Sequence, residues 1–399
     1  MLYPRTEYQR ELLAITDPLV AKLADRAAEH DRNNTFPMDN YADMRDVGYL
    51  TLTVPREYGG KGADLLGFVL CQERLAQGDG ATALAVGMHL ALIGRLAETS
   101  EWPTDRFEAI CRDVVATGAT INSAASEAET GSPSRGGKPG TTARRVENGW
   151  VINGRKTFTT MSPALYYFLV SCSLENAPDA PATGNLLVTS SNPGLEIVET
   201  WNTMGMRATG SHDIVLRDCA VAADALIRGR SPSDPASLQG GGRAWGPLLV
   251  SAVYTGVAAA ARNFALKFAR ERVPSGLGKP IAELPSIQAR IGEMEIRLAQ
   301  SRRFLYSLAQ DWSDLPDERD HLTTDISTCK YLATNNAIAI VDWAMRVVGG
   351  IALSRSYPLE RYYRDVRAGL YNPPMDDVTM IQLAKAALEE NARHDGSAS

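Results

Sequence analysis

The chain has 399 residues, 44% of them hydrophobic and 22% charged, enough for two or three domains with cores of their own and incompatible with a disordered or fibrous protein. A formal net charge of −6 and a pI near 5.6 supply no basic field for a phosphate backbone, which argues against nucleic-acid binding. Cys71, Cys111, Cys172, Cys219 and Cys329 lie far apart without a C-x-x-C pair, so neither a metal site nor a disulfide framework is expected, and a reducing cytoplasm suits them. The N-terminus has no hydrophobic signal core, and no apolar run approaches the ~20 residues of a membrane span.

From Thr6 to about Val115 apolar residues recur at helical spacing among Ala, Glu and Arg, which predicts a helical domain over residues 1–119. The run V-P-R-E-Y-G-G-K-G-A-D at 54–64 interrupts it with a turn. Between 120 and 228 the period changes to two: L-L-V-T, L-E-I-V and D-I-V-L read as strands, and Asn148-Gly149 and Asn153-Gly154 read as tight turns. Helices return over 240–391, where Ile287, Ile291, Met294, Leu298, Leu305 and Leu308 share one face. The stretch S-L-Q-G-G-G-R-A at 237–244 reads as a linker, and the polar tail after Asn391 as a frayed end. The fold class is α+β.

Several motifs in one order carry more. Residues 357–382, Y-P-L-E-R-Y-Y-R-D-V-R-A-G-L-Y-N-P-P-M-D-D-V-T-M-I-Q, resemble the C-terminal signature of the acyl-CoA dehydrogenases, in which Y-R-D-A-R leads into Y-E-G-T and a last helix. The resemblance runs from Phe36 to Leu388, through F-P-M-D-N-Y-A-D-M-R-D-V-G-Y-L-T-L-T-V-P-R-E-Y-G-G-K-G and Q-E-R-L-A-Q-G-D-G. It implies an N-terminal helical domain, a central β-barrel or sandwich domain and a C-terminal four-helix bundle, with FAD as cofactor. The run S-E-A-E-T-G-S at 126–132 resembles T-E-P-x-A-G-S; Gly131 lets backbone approach a ligand, and the Ser126 and Ser132 hydroxyls suit flavin and substrate, though a polar surface turn reads the same way. K-T-F-T-T at 156–160 resembles K-x-W-I-T, which implies Phe158 against the isoalloxazine ring and the Thr160 hydroxyl near N5.

Further along, G-M-R-A-T-G-S-H at 205–212 resembles G-x-R-x-S/T; Arg207 either holds an anionic substrate group or pairs with a carboxylate, and His212 is given no chemistry. At 269–288 the likeness is to R-x-x-F-G-x-P-I-x-x-x-Q-x-x-Q, so Arg272 corresponds to an arginine that reaches the FAD pyrophosphate across a subunit boundary, and Gln288 to the second glutamine. Gly349 and Gly350 match glycines that admit the adenine dinucleotide and also read as a helix C-cap; Asp377 matches a position that contacts FAD. A homodimer or homotetramer is implied by the resemblance.

The residue that family needs most is absent. Counting from Arg367 without a gap places Pro373 where the resemblance implies a glutamate base, and proline removes the backbone N–H as well as the carboxylate. The alternative position, on the helix before R-x-x-F-G, falls near Trp245 or Gly246, with no acid. Asp376 is the nearest substitute; it also reads as an N-cap or first-turn residue for the last helix. The expected activity is α,β-dehydrogenation of an acyl thioester of CoA or a carrier protein, with hydride passing to flavin N5, Asp376 as base, and an electron-transfer flavoprotein or oxygen as acceptor. Two other readings stay open: a reduced-flavin monooxygenase on the same fold, and a flavin-binding paralogue without turnover.

Overall fold

The computed structural model describes residues 3–130, 138–178, 180–230 and 243–396. The N-terminal part is helical: α1 (Glu7–Asn33), α2 (Met38–Asp46), α3 (Leu65–Ala76), α4 (Gly80–Thr99) and α5 (Thr104–Thr117). Thr6 starts α1 by accepting from the Gln9 N–H, and the Gln9 side chain accepts from the Thr6 N–H in return, a capping box. Asp64 and Asp79 cap α3 and α4 by accepting from Gly67 and Thr82.

A single eight-stranded sheet follows, built from β1 (Ile121–Ala124), β2 (Thr142–Val146), β3 (Gly149–Thr159), β4 (Tyr167–Glu175), β5 (Thr183–Thr189), β6 (Leu195–Val198), β7 (His212–Ala222) and β8 (Leu226–Arg230). Its order is β6-β7-β3-β2-β4-β5-β8, with β1 parallel to β4. Asn148-Gly149 makes the expected tight connection, since Val146 pairs with Gly149 across it. Asn153-Gly154 does not turn the chain. It lies inside β3, where the register against β7 shifts, and Gly154 has φ +151 with Thr141 atoms 2.5 Å from where a Cβ would sit. The dipeptide read as a hairpin is a β-bulge, which asks the same of glycine.

Among the described residues five further α-helices follow: α6 (Trp245–Glu271), α7 (Pro285–Asp314), α8 (Thr323–Val348), α9 (Leu359–Arg367) and α10 (Asp376–Gly396). α6 runs through the middle, packed on α7 and α8 and also on α3 and α4. Gly256 permits the α3 contact, because a Cβ there would fall 2.3 Å from the Glu73 carbonyl oxygen. Glu73 is itself buried and ties α3 to α7, accepting two bonds from Arg302 at 2.9 and 2.6 Å and one from the Tyr306 hydroxyl. α4 and α6 are longer and more apolar than the sequence reading allowed, and both meet the length and composition of a membrane span. The most apolar stretch of each is 83% buried, so both are core helices here. All five cysteines are buried and unpaired.

His89 joins the helical part to the sheet from a fully buried position on α4. Its Nδ1 accepts from the Ile121 N–H at 3.1 Å while Nε2 faces the Leu50 carbonyl at 3.0 Å, which requires the neutral ring with its proton on Nε2. Burial pushes its pKa down to about 4 against the opposing pull of those backbone groups. Between about pH 4 and 6.5 the unfolded chain therefore binds a proton that the folded chain refuses. Stability should fall by up to about 3 kcal/mol as pH drops through that window. Urea unfolding of the wild type and His89→Gln at several pH values checks this: the variant is less stable at pH 8, but the gap between the two narrows on going to pH 4.

Candidate functional site

The end of β3 reverses the usual placement of side chains. Lys156 and Phe158 are two residues apart and in a regular strand would share a face. A second register shift lies between Lys156 and Thr159, and Phe158 has φ +53, a left-handed conformation rare for a bulky residue. The outcome is a lysine with no exposure and a phenylalanine that is 63% exposed. Strain of this kind persists where surrounding structure enforces it, and it marks candidate functional positions.

The enforcing structure is a buried carboxylate that sequence reasoning missed. Glu127, next to Ser126, accepts from Lys156 Nζ at 2.6 Å, the Thr141 hydroxyl at 2.7 Å and N–H at 2.9 Å, the Gly140 N–H at 2.7 Å and the Thr130 hydroxyl at 2.8 Å. Burial alone would raise its pKa, but the Lys156 ammonium and the Thr141 and Gly140 donors outweigh that and lower it to about 2. The pair thus fixes the 126–130 segment to β3, and the Ser126 carbonyl accepts from the Thr157 N–H at 2.9 Å beside it. The signal was present as one acid and one lysine in two separate motifs, but nothing local says they meet. Gly131 and Ser132 lie outside the described residues.

Around Phe158 the polar groups are ordered. Thr160 Oγ1 bonds Ser211 Oγ at 3.0 Å, and Ser211 Oγ bonds Thr209 Oγ1 at 2.8 Å. The Trp201 ring meets Phe158 edge-on with centroids 5.7 Å apart. Trp201 is placed by its own bonds, the indole N–H donating to the Met206 carbonyl and the backbone N–H to His212 Nδ1. His212 is thereby a support behind the aromatic pair. From Met206 the path continues into the helical bundle, where the Met206 N–H donates to Asp365 Oδ1 at 2.6 Å. Burial raises the Asp365 carboxyl to about 7 against that bond and the Arg361 charge. Gly205 allows this contact, since a Cβ would sit 2.4 Å from the Arg364 carbonyl oxygen.

The segment that carries Pro373 is held by α6 and α8. Tyr254 of α6 donates its hydroxyl to Asn372 Oδ1 at 2.8 Å. Asp376 opens α10 and turns toward α8, where Asn335 Nδ2 donates to its Oδ2 at 2.9 Å and Lys330 Nζ lies 3.6 Å from its Oδ1. Lys330 has no exposure, and burial lowers its pKa against the pull of Asp376. Among the described residues, Lys330 Nζ, Asp376 Oδ1 and Thr379 Oγ1 are all buried without a hydrogen-bond partner. Asp377 is exposed and accepts from the Val378 N–H.

The remaining expected residues lie elsewhere in the chain. Arg207 spends its donors on the Asp31 and Thr203 carbonyls and on Asn202. Arg272 ends α6 with an exposed side chain, and exposed Gln288 donates to the Ala282 carbonyl. Gly349 ends α8 at φ +82 beside exposed Gly350. Arg290 donates to the Arg346 carbonyl, so Gln288 and Gly349 share one end of the bundle. No hydrogen bond among the described residues links that end to Phe158 or Thr160.

Lys156→Met strands the Glu127 charge in the interior and should cost about 3–5 kcal/mol in urea unfolding. Adding Glu127→Gln to it should recover part of that loss, because the uncompensated charge is gone; two additive losses would mean that the pair is not coupled.

Acyl-CoA dehydrogenase models match the chain in three consecutive pieces: the N-terminal domain over residues 6–100, the middle domain over 122–219 and the C-terminal domain over 248–371. YdbM of Bacillus subtilis (strain 168), which carries a provisional acyl-CoA dehydrogenase name, is 46% identical over 391 residues, covering 97% of this chain and 99% of its own. The amino sugar nitrososynthase DnmZ of Streptomyces peucetius is 32% identical over 385 residues, covering 93% and 91%. The solved structure of KijD3 in complex with FMN and dTDP-3-amino-2,3,6-trideoxy-4-keto-3-methyl-D-glucose superposes with a TM-score of 0.85 at 29% identity, covering 97% and 95%. With its helical, sheet and helical parts matched in order, the chain belongs to the acyl-CoA dehydrogenase family and is an oxidoreductase of that type.

Proposed function

We propose that this protein binds a flavin on the face formed by Phe158, Thr160 and Ser126, and that it uses the reduced flavin to activate oxygen toward a small-molecule substrate. FAD is the cofactor of the family, and the residues fit a flavin: an exposed aromatic ring held at a strained angle, flanked by ordered hydroxyls, with Trp201 behind it. When bound, the flavin supplies hydride acceptance or, once reduced, oxygen chemistry; the chain supplies the platform, hydrogen bonds and exclusion of water.

The segment around Pro373 decides between oxygen activation and dehydrogenation. Removing a proton α to a thioester requires a free base of suitable pKa within hydrogen-bond reach. Pro373 has none, and Asp376 is turned into the bundle against Lys330 and Asn335. An oxygenating reaction does not need that base. The likeness to proteins named as nitrososynthases, one of them for amino sugars and another solved with this fold, supports the same reading.

Dehydrogenation remains a second reading because Asp376 Oδ1 has no hydrogen-bond partner. Under either reading, exposed Arg272, Gln288 and Gly349 serve the cofactor of a neighbouring subunit, and exposed Met380, Ile381 and Leu388 of α10 supply apolar surface for that contact.

The two readings separate in one pair of assays. With FMN or FAD and a flavin reductase the protein should consume oxygen in excess of the reductase alone when a substrate amine is supplied, and acyl-CoA should not bleach bound flavin anaerobically. Rapid anaerobic bleaching by an acyl-CoA that is abolished in Asp376→Asn, with flavin retained, would establish dehydrogenation instead.

A further inference from the structure

A cavity of about 580 Å³ opens where the C-terminal end of α1, the 203–207 segment and α9 meet, and Phe158, Thr160 and Ser126 are not among its lining residues. Its volume falls within the ~300–1,000 Å³ typical of small-molecule sites. Its wall is unusual for a chain of net charge −6: Arg32, Arg207, Arg355, Arg361 and Arg364 line it, against the carboxylates of Asp31 and Glu360. Both carboxylates are already engaged by Arg364, which makes two bonds to Asp31 at 2.9 and 2.6 Å and two to Glu360 at 2.9 and 3.1 Å. Five positive and two negative groups leave three positive charges in excess.

The arginines divide by what they do. Arg207 and Arg364 hold the three parts of the chain together through Asp31, Thr203 and Met204. Arg32 and Arg355 are exposed and make no ion pair among the described residues. Arg361 is 6% exposed, its guanidinium carbon 5.3 Å from the Tyr362 ring centre, and it too makes no ion pair among the described residues. Burial works against its charge, but Asp79, Tyr362, Asp365 and Asp31, none of them in an ion pair with it, outweigh burial and raise its pKa, so the guanidinium stays charged. A guanidinium so placed offers a planar set of donors to whatever enters the cavity, and phosphoryl oxygens match that geometry.

We infer that this junction cavity is a binding site for a phosphoryl group, of a size that admits the diphosphate of a nucleotide-linked small molecule. Arg361 forms its floor and Arg32 and Arg355 its rim. Bound there, a diphosphate would bridge α1 and α9 and so clamp the N-terminal part onto the bundle. Nothing in the inference depends on the flavin face, and its failure would leave that reading untouched.

The test is calorimetric titration of the purified protein, with flavin content recorded by absorbance before and after, using UDP, inorganic phosphate and uridine as probes. UDP should bind at least about tenfold more tightly than uridine, and its affinity should fall as salt rises. Arg32→Gln and Arg355→Gln, both at exposed positions that the fold does not use, should each weaken UDP by about fivefold or more. Inorganic phosphate matching UDP would support the phosphoryl site and name free phosphate as its occupant. Equal binding of UDP and uridine, no binding below millimolar UDP, or affinities unchanged in both variants would overturn the inference. Arg361→Lys distinguishes a specific donor from bulk charge: it should weaken UDP while circular dichroism shows the fold intact, and full affinity in that variant contradicts the floor assigned to Arg361.

Discussion

The Glu127–Lys156 pair is the interaction on which the candidate site depends. A carboxylate and an ammonium are both withdrawn from water, a costly arrangement that holds only because Glu127 collects five donors. Replacing the pair with apolar residues could be neutral for stability, so its value lies in geometry. It pins β3 to the 126–130 segment at the point where the strand loses register. With Lys156 drawn inward, Phe158 has to leave the sheet at a positive φ, and its ring is presented to the surface. The polar interior and the exposed aromatic are two sides of one constraint.

A second set of contacts sets where that ring sits relative to the bundle. Trp201 backs Phe158, Met206 binds Asp365, and Arg364 reaches Asp31 across 333 positions of sequence. The sheet is therefore held between α1 and α9, not hinged from one side. The Pro373 segment is held by Tyr254 on one flank and by Asp376 against α8 on the other. The carboxylate that stands nearest to Pro373 in sequence thereby ties the start of α10 to α8.

The helix–sheet–helix order was legible because each part announces its own period, and the ordered motifs gave the family. Local rules failed where partners are distant or where one residue type serves two purposes. Asn153-Gly154 satisfied the rule for a tight turn, yet a bulge needs the same permissive glycine. Glu127 and Lys156 read as ordinary polar residues because burial is a property of the folded chain. Arg207 was recognised as a residue with work to do, but its acceptors are mainly carbonyls, which sequence cannot assign. Asp376 was read as a first-turn residue or a base; it does open α10, and its carboxylate meets Asn335 and the buried Lys330, which no motif had singled out.

A Phe158 ring displayed to receive a flavin makes flavin binding depend on that side chain. Titration of flavin-free protein with FAD and FMN, followed by flavin absorbance and fluorescence, tests it most directly in the wild type and Phe158→Ala. Binding should be saturable with a perturbed flavin spectrum, and weakened about three- to tenfold in the variant, in line with ~0.5–1.5 kcal/mol for an aromatic contact. Absence of binding to the wild type, or identical affinity and spectrum in Phe158→Ala, would contradict it.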